Sequence, residues 1–183
     1  MIEKNFENFG SGKRIAFFHG LGLTPPNERP SNIRGMKRLL GDNLYFPFID
    51  YDEEWYRDRC RSMFLAQSRA CADVDVLVGL SLGGYTAFLL ANYLNKPTVL
   101  INPSIDRVFT KLNIKTYNVP VTFINPGIEL FLGEYDDLIP MEITTAYLDK
   151  HNFDYDSYII EGMEHNLCYE EFQEIIRKSK YLK

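Results

Sequence analysis

Between residues 74 and 94 the chain reads VDVLVGLSLGGYTAFLLANYL, an apolar strand-like run that passes into a helix-like run with no loop between them. The join is Gly79-Leu80-Ser81-Leu82-Gly83, so a serine sits at the apex of a sharp turn. A serine forced into a sparsely populated backbone conformation there needs neighbours without Cβ atoms where the chain crowds, which Gly79, Gly83 and Gly84 provide. The strand before and the helix after give the G-x-S-x-G spacing its weight. The Ser81 hydroxyl is then expected at the carboxyl end of a sheet, beside the first N–H groups of the helix. That of Leu82 is best placed to stabilise a negative oxygen. The competing reading is a tight turn with a solvated serine.

The rest of the chain alternates in the same way. RIAFF (14–18) reads as a strand ending at His19-Gly20, followed by a loop with Pro25 and Pro26. A helix capped by Ser31 runs to about Leu40 and stops at Gly41. LYFPFI (44–49) is a second strand. Asp50 or Asp52 caps one long helix through DEEWYRDRCRSMFLAQSRACA. PTVLINP, IELFLG (128–133) and DSYIIEG are further strands, and MEITTAYLDKH and EEFQEIIRKSKYL further helices. This order implies crossover connections and a mainly parallel sheet covered on both faces, an α/β fold. The stretch 102–127 breaks the alternation and is expected to be a small cap or lid, or a surface loop, with YNVPVTFI offering one more short strand. At 183 residues without internal repeats, one domain spanning 1–183 is expected.

Composition narrows the partners. Hydrophobic residues make up 45% and charged residues 25%, with a net charge of −5 and no basic block, which gives nucleic acid or an anionic membrane no electrostatic footing. The start, MIEKNFENFG, lacks a basic and then apolar pattern and is not expected to be a signal peptide, and no apolar run is long enough to span a bilayer. Three cysteines, Cys60, Cys71 and Cys168, show no paired spacing, which suits a reducing compartment and a cytoplasmic protein.

A serine hydroxyl needs a base, and the chain has three histidines. His165 follows the strand DSYIIEG and so shares the sheet edge that presents Ser81. His19 is better suited to organising its loop, and His151 to the C-terminus of a helix. A carboxylate should orient the base. Asp136 and Asp137 follow the strand that ends at Gly133, and Asp106 follows the strand before it. Ser81, Asp136, His165 is the chain order known for one class of serine triads. Cys168, placed at a helix start without an elbow, is expected to pack rather than react.

Other motifs fail on context. GSGKR (10–14) precedes a strand instead of following one, and no Ser or Thr follows Lys13. Gly20-Leu21-Gly22 has Pro25 where a third glycine would stand. No H-x-x-x-H spacing occurs, so neither a metal nor another cofactor is expected. Tyr51, Trp55, Tyr56 and Tyr85 either line a pocket or pack the core.

IAFFHGLG, GLSLGGY, LGEYDDLIP and EGMEHN, in this order, resemble the marker segments of the α/β-hydrolase superfamily. Within it, FFHGLGLTPPN, GLSLGGYTAFLLANYL and VLINPSI are similar to the small bacterial YqiA/YcfP-like esterases, from about Ile15 to Ile105. The resemblance implies that HGLG is an oxyanion loop whose second N–H comes from Leu21, and that GEYDDLIP is the acid segment, favouring Asp136. The expected protein is a serine hydrolase of an ester or thioester of a small acyl group, with Ser81, His165 and Asp136 as its triad. The other reading is an α/β-hydrolase scaffold that only binds a ligand or a protein.

Overall fold

The computed structural model describes residues 12–21, 37, 39–41, 43–105, 117–119 and 121–183 of the chain. Among these, strands β1 (Ile15–Phe18), β2 (Leu44–Tyr45), β3 (Val76–Leu80), β4 (Thr98–Ile101), β5 (Ile128–Gly133) and β6 (Tyr155–Ile160) form one sheet. Its order is β2-β1-β3-β4-β5-β6 and every neighbouring pair is parallel. The helices are α1 (Tyr51–Asp58), α2 (Arg61–Ala70), α3 (Leu82–Leu94), α4 (Met141–Lys150) and α5 (Tyr169–Lys178).

Alternation along the strands divides the core in two. Ala16, Phe18, Leu77, Leu100 and Leu130 face a cluster with Phe64, Phe88 and Leu148 from the helices on that side. Ile15, Phe17, Val78, Val99, Ile101 and Phe131 face Phe172, Ile175 and Ile176 of α5 on the other. The central strands are buried on both faces, which is why they read as unbroken apolar runs rather than as alternating ones. Helix α3 is buried along almost its whole circumference, consistent with its central place.

Three expectations from the sequence are corrected. The long helix after Asp50 is two helices. Asp50 does cap the first, accepting from the N–H of Glu53 at 3.0 Å. The break falls at Arg59 and Cys60, both left-handed at φ 57° and 61°, where the Cys60 N–H closes back on the Glu54 carbonyl at 2.9 Å. The Arg59 carbonyl accepts from Asn118 at 3.0 Å, so a partner 59 residues away holds the kink open. LYFPFI contributes only Leu44–Tyr45 to the sheet. Pro47 has no N–H to give a ladder, and the N–H of Ile49 goes to the His19 ring instead. The described part of YNVPVTFI carries no strand.

Near the N-terminal side, Lys37, Leu39 and Leu40 are helical, and Gly41, at φ 84°, donates to the Lys37 carbonyl at 2.9 Å. The Pro25-Pro26 loop, the proposed Ser31 cap and Asp106 lie outside the described residues. Among the described residues no helix is long and apolar enough to cross a membrane.

Candidate active site

Strand order reverses around β1: the chain steps outward to β2 and returns to place β3 on the other side of β1. The loops leaving β1 and β3 therefore diverge at the carboxyl edge, where open α/β sheets form a crevice. One loop carries His19-Gly20-Leu21 and the other carries Ser81.

Ser81 is the N-cap of α3, with φ 55° and ψ −119°, a conformation that costs a non-glycine residue on the order of 1–3 kcal/mol. The surrounding backbone holds it there. Its N–H donates to Ile101 and its carbonyl accepts from Ser104, both at 3.0 Å. A Cβ on Gly79 would stand 2.2 Å from the Gly83 carbonyl oxygen, and one on Gly83 would stand 2.1 Å from that of Phe18, so the turn closes only with glycine at both places. Gly20 lies against the serine as well: a Cβ there would be 3.1 Å from Ser81 Cβ and 3.6 Å from Ser81 Oγ. Gly20 and the start of α3 at Leu82 thus lie beside the hydroxyl.

The histidine and acid arrive from the other direction. His165 follows β6, and its Nε2 is 2.9 Å from Ser81 Oγ. Its Nδ1 is 2.8 Å from Asp136 Oδ2. The second carboxylate oxygen, Oδ1, accepts from the N–H groups of Leu138 at 3.0 Å and Ile139 at 2.8 Å, which fixes the carboxylate plane. Asp136 is buried, while Asp137 points to solvent. With Nδ1–H donated to the carboxylate, Nε2 is left as the acceptor facing the hydroxyl, the tautomer a general base needs. Of the residues singled out from the sequence, Ser81, His165 and Asp136 are joined in one hydrogen-bonded line, and Leu82 follows Ser81 at the start of α3.

His19 is buried and plays a different part. Its Nδ1–H donates to the Gly20 carbonyl at 2.6 Å and its Nε2 accepts from Ile49 at 3.0 Å, so both nitrogens are occupied in the neutral ring. The Tyr51 hydroxyl donates to the His19 carbonyl at 3.0 Å. This cage of Ile49 and Tyr51 around the loop is not legible from the sequence, in which Tyr51 offered itself equally as pocket lining. Tyr56 is 82% exposed, whereas Tyr85 packs in the core with Tyr51 and Tyr117, its ring centroid 5.0 Å from that of Tyr117. His151 caps the C-terminus of α4.

Burial lowers the pKa of His19 below its ordinary 6.5, because a charged ring would lose hydration and would set a proton against the Ile49 N–H. The unfolded chain then takes up the proton first as the pH falls. The stabilisation by neutral His19 is complete above pH 6.5 and is lost as the pH drops from there toward the lowered folded value. Urea unfolding between pH 7.5 and 5.5 is expected to show this loss, and a His19→Asn variant a flatter profile. Identical slopes in both proteins would refute it.

The cysteines stand apart from this chemistry. Cys60 and Cys71 are buried and their thiols are pushed up to about 12 by loss of hydration. Cys168, expected to pack, is instead exposed at the N-cap of α5, and its thiol is raised too, first by partial loss of hydration, with the Glu171 carboxylate adding to it. All three are poor nucleophiles. Among the described residues no cluster of His, Cys, Asp and Glu is suited to a metal ion.

No protein-family model and no curated protein matches the chain. Solved structures do. The esterase domain of a Rhodothermus marinus protein superposes with a TM-score of 0.63 at 13% identity, covering 98% of this chain and 90% of its own. Est1E from Butyrivibrio proteoclasticus gives 0.60 at 13% identity, covering 90% and 85%. A Xanthomonas campestris pv. campestris protein assigned to the alpha/beta hydrolase superfamily gives 0.57 at 17% identity, covering 91% and 99%. The fold is that of the α/β-hydrolases.

Proposed function

We propose that this protein is a serine hydrolase that cleaves a carboxylic ester or thioester of a small acyl substrate. The observation that carries the reading is the hydrogen-bonded line from Ser81 Oγ to His165 Nε2 at 2.9 Å and from His165 Nδ1 to Asp136 at 2.8 Å, set at a strained strand-to-helix turn. The likeness of residues 15–105 to YqiA/YcfP-like esterases, and the esterases among the structural neighbours, support an acyl-oxygen or acyl-sulfur bond as the target.

In this mechanism Ser81 Oγ attacks the substrate carbonyl carbon while its proton passes to His165 Nε2. The carbonyl oxygen takes the negative charge and is held by the N–H groups of Leu21 and Leu82. Asp136 orients the ring and stabilises the imidazolium. Collapse breaks the bond to the leaving alcohol or thiol, which receives the proton from His165, and leaves an acyl group on Ser81. A water deprotonated by His165 then attacks that acyl group, releasing a carboxylic acid and restoring the serine. The chain acts as one hydrolase domain; residues 106–116 and 120, where the sequence suggests a cap or lid, lie outside the described residues.

Fluorophosphonate labelling tests the reading. Intact mass and peptide mapping are expected to find one adduct, on Ser81, that is absent from Ser81→Ala. No adduct on folded wild-type protein would overturn the reading in favour of a scaffold that binds without turnover.

A further inference from the structure

At the end of β4, between the elbow and the two loops that bring Asp136 and His165, stands Asn102, 1% exposed and at φ 41°. Its side chain is fully engaged. Oδ1 accepts from the N–H of Gly133 at 2.7 Å, and Nδ2 donates to the carbonyls of Glu164 at 2.9 Å and His165 at 3.4 Å. Gly133 begins the acid loop, and Glu164 and His165 are the base loop itself. The backbone N–H of Asn102 also donates to the Phe131 carbonyl at 3.0 Å, which anchors the residue on β5.

We infer that Asn102 is a positioning residue that sets the His165 loop against the Asp136 loop. The inference rests on the proposed hydrolase site and names a part of it that neither touches substrate nor exchanges protons. Its chemistry explains the choice of side chain. The position needs an acceptor for one N–H and donors for two carbonyls within one short, planar group, and asparagine provides both on the two sides of its amide. Aspartate has the same shape but would press an acceptor against two carbonyls. Alanine or glycine would leave a buried N–H and two buried carbonyls without this partner. Asparagine also tolerates the left-handed backbone better than most residues with a Cβ.

The two loops touch each other too, which limits how far they part when Asn102 is changed. The N–H of Glu134 donates to Ile160 at 3.2 Å and that of Tyr135 to Met163 at 2.9 Å. A Cβ on Gly133 would lie 2.5 Å from the Met163 carbonyl oxygen. The base loop therefore stays attached at Met163 while losing its tether at Glu164 and His165, the end nearest the imidazole. A displacement of the ring by about 1 Å is enough to cost on the order of a hundredfold in rate, without changing how substrate is held.

The experiment compares wild type with Asn102→Asp and Asn102→Gly, the second retaining freedom at positive φ so that at least one variant folds. Circular dichroism and thermal midpoint establish folding. The expected result is kcat for an activated ester lower by about 10- to 100-fold with KM within about threefold of wild type. One-dimensional proton NMR at low temperature should also show the downfield Nδ1 proton shared by His165 and Asp136 in wild type, absent in His165→Ala, and broadened or lost in both Asn102 variants. A folded variant with wild-type kcat, or with the Nδ1 proton unchanged, overturns the inference. If wild-type protein takes no fluorophosphonate label, the hydrolase reading falls, while the Nδ1 proton still decides whether Asn102 holds the pair.

Discussion

His165→Ala is expected to lower kcat/KM for an activated ester by about 10⁴-fold or more and to abolish fluorophosphonate labelling of Ser81, while the thermal midpoint moves by only a few degrees. The large kinetic effect follows from Nε2, at 2.9 Å, being the atom in line to take the serine proton. Without it the hydroxyl is a weak nucleophile with no acceptor for its proton. The small thermal effect follows from what the ring leaves behind. Asp136 keeps the N–H groups of Leu138 and Ile139 on its other oxygen, and the His165 side chain is 16% exposed, so water can replace the lost bond to the carboxylate. Steady-state kinetics, labelling and a thermal melt on one preparation decide it. Activity within tenfold of wild type would remove His165 from the role of base.

His19 provides the internal contrast. It lies in the same crevice, yet both its nitrogens are spent on backbone groups, so His19→Asn is expected to act on stability and on the shape of the loop carrying Leu21. Two histidines in one site thus separate by what their ring nitrogens face: a backbone carbonyl and N–H for His19, a carboxylate and a hydroxyl for His165.

Much of this was legible in the sequence because it is local. The strand-to-helix turn at Ser81 announces itself through Gly79, Gly83 and Gly84, and the order of strands and helices dictates a parallel sheet whose carboxyl edge collects Ser81, Asp136 and His165. What was hidden depends on partners far along the chain. Arg59 and Cys60 break a pattern that is helical by composition, and neither is a glycine or asparagine that would have flagged a left-handed turn. The bond from Asn118 to the Arg59 carbonyl belongs to tertiary structure. Strand β2 is shortened partly by Pro47, which was visible, and partly by the pull of the His19 ring on Ile49, which was not. Asn102 was a quieter signal: an asparagine before Pro103 at the end of an apolar strand marks a turn, but only the fold shows its amide reaching two loops.

Gly83→Ala is expected to be among the most damaging single-methyl changes at the described residues, lowering stability by about 3 kcal/mol or more and removing labelling of Ser81. The added Cβ would lie 2.1 Å from the carbonyl oxygen of Phe18 and 2.4 Å from that of His19. Both are backbone atoms, so no side chain can rotate away. Relief requires the start of α3 to withdraw from the end of β1, which also parts Ser81 from the Gly20-Leu21 loop. Helix propensity works the other way, since alanine is favoured over glycine inside a helix by about 1 kcal/mol, so the sign of the result separates the two effects. A loss of 3 kcal/mol corresponds to a fall in midpoint of roughly 6–12 °C for a domain of this size. A melt of Gly83→Ala at or above the wild-type midpoint, with labelling intact, would mean that α3 does not start against β1, and the crevice that brings Ser81 and Leu21 together would have to be redrawn.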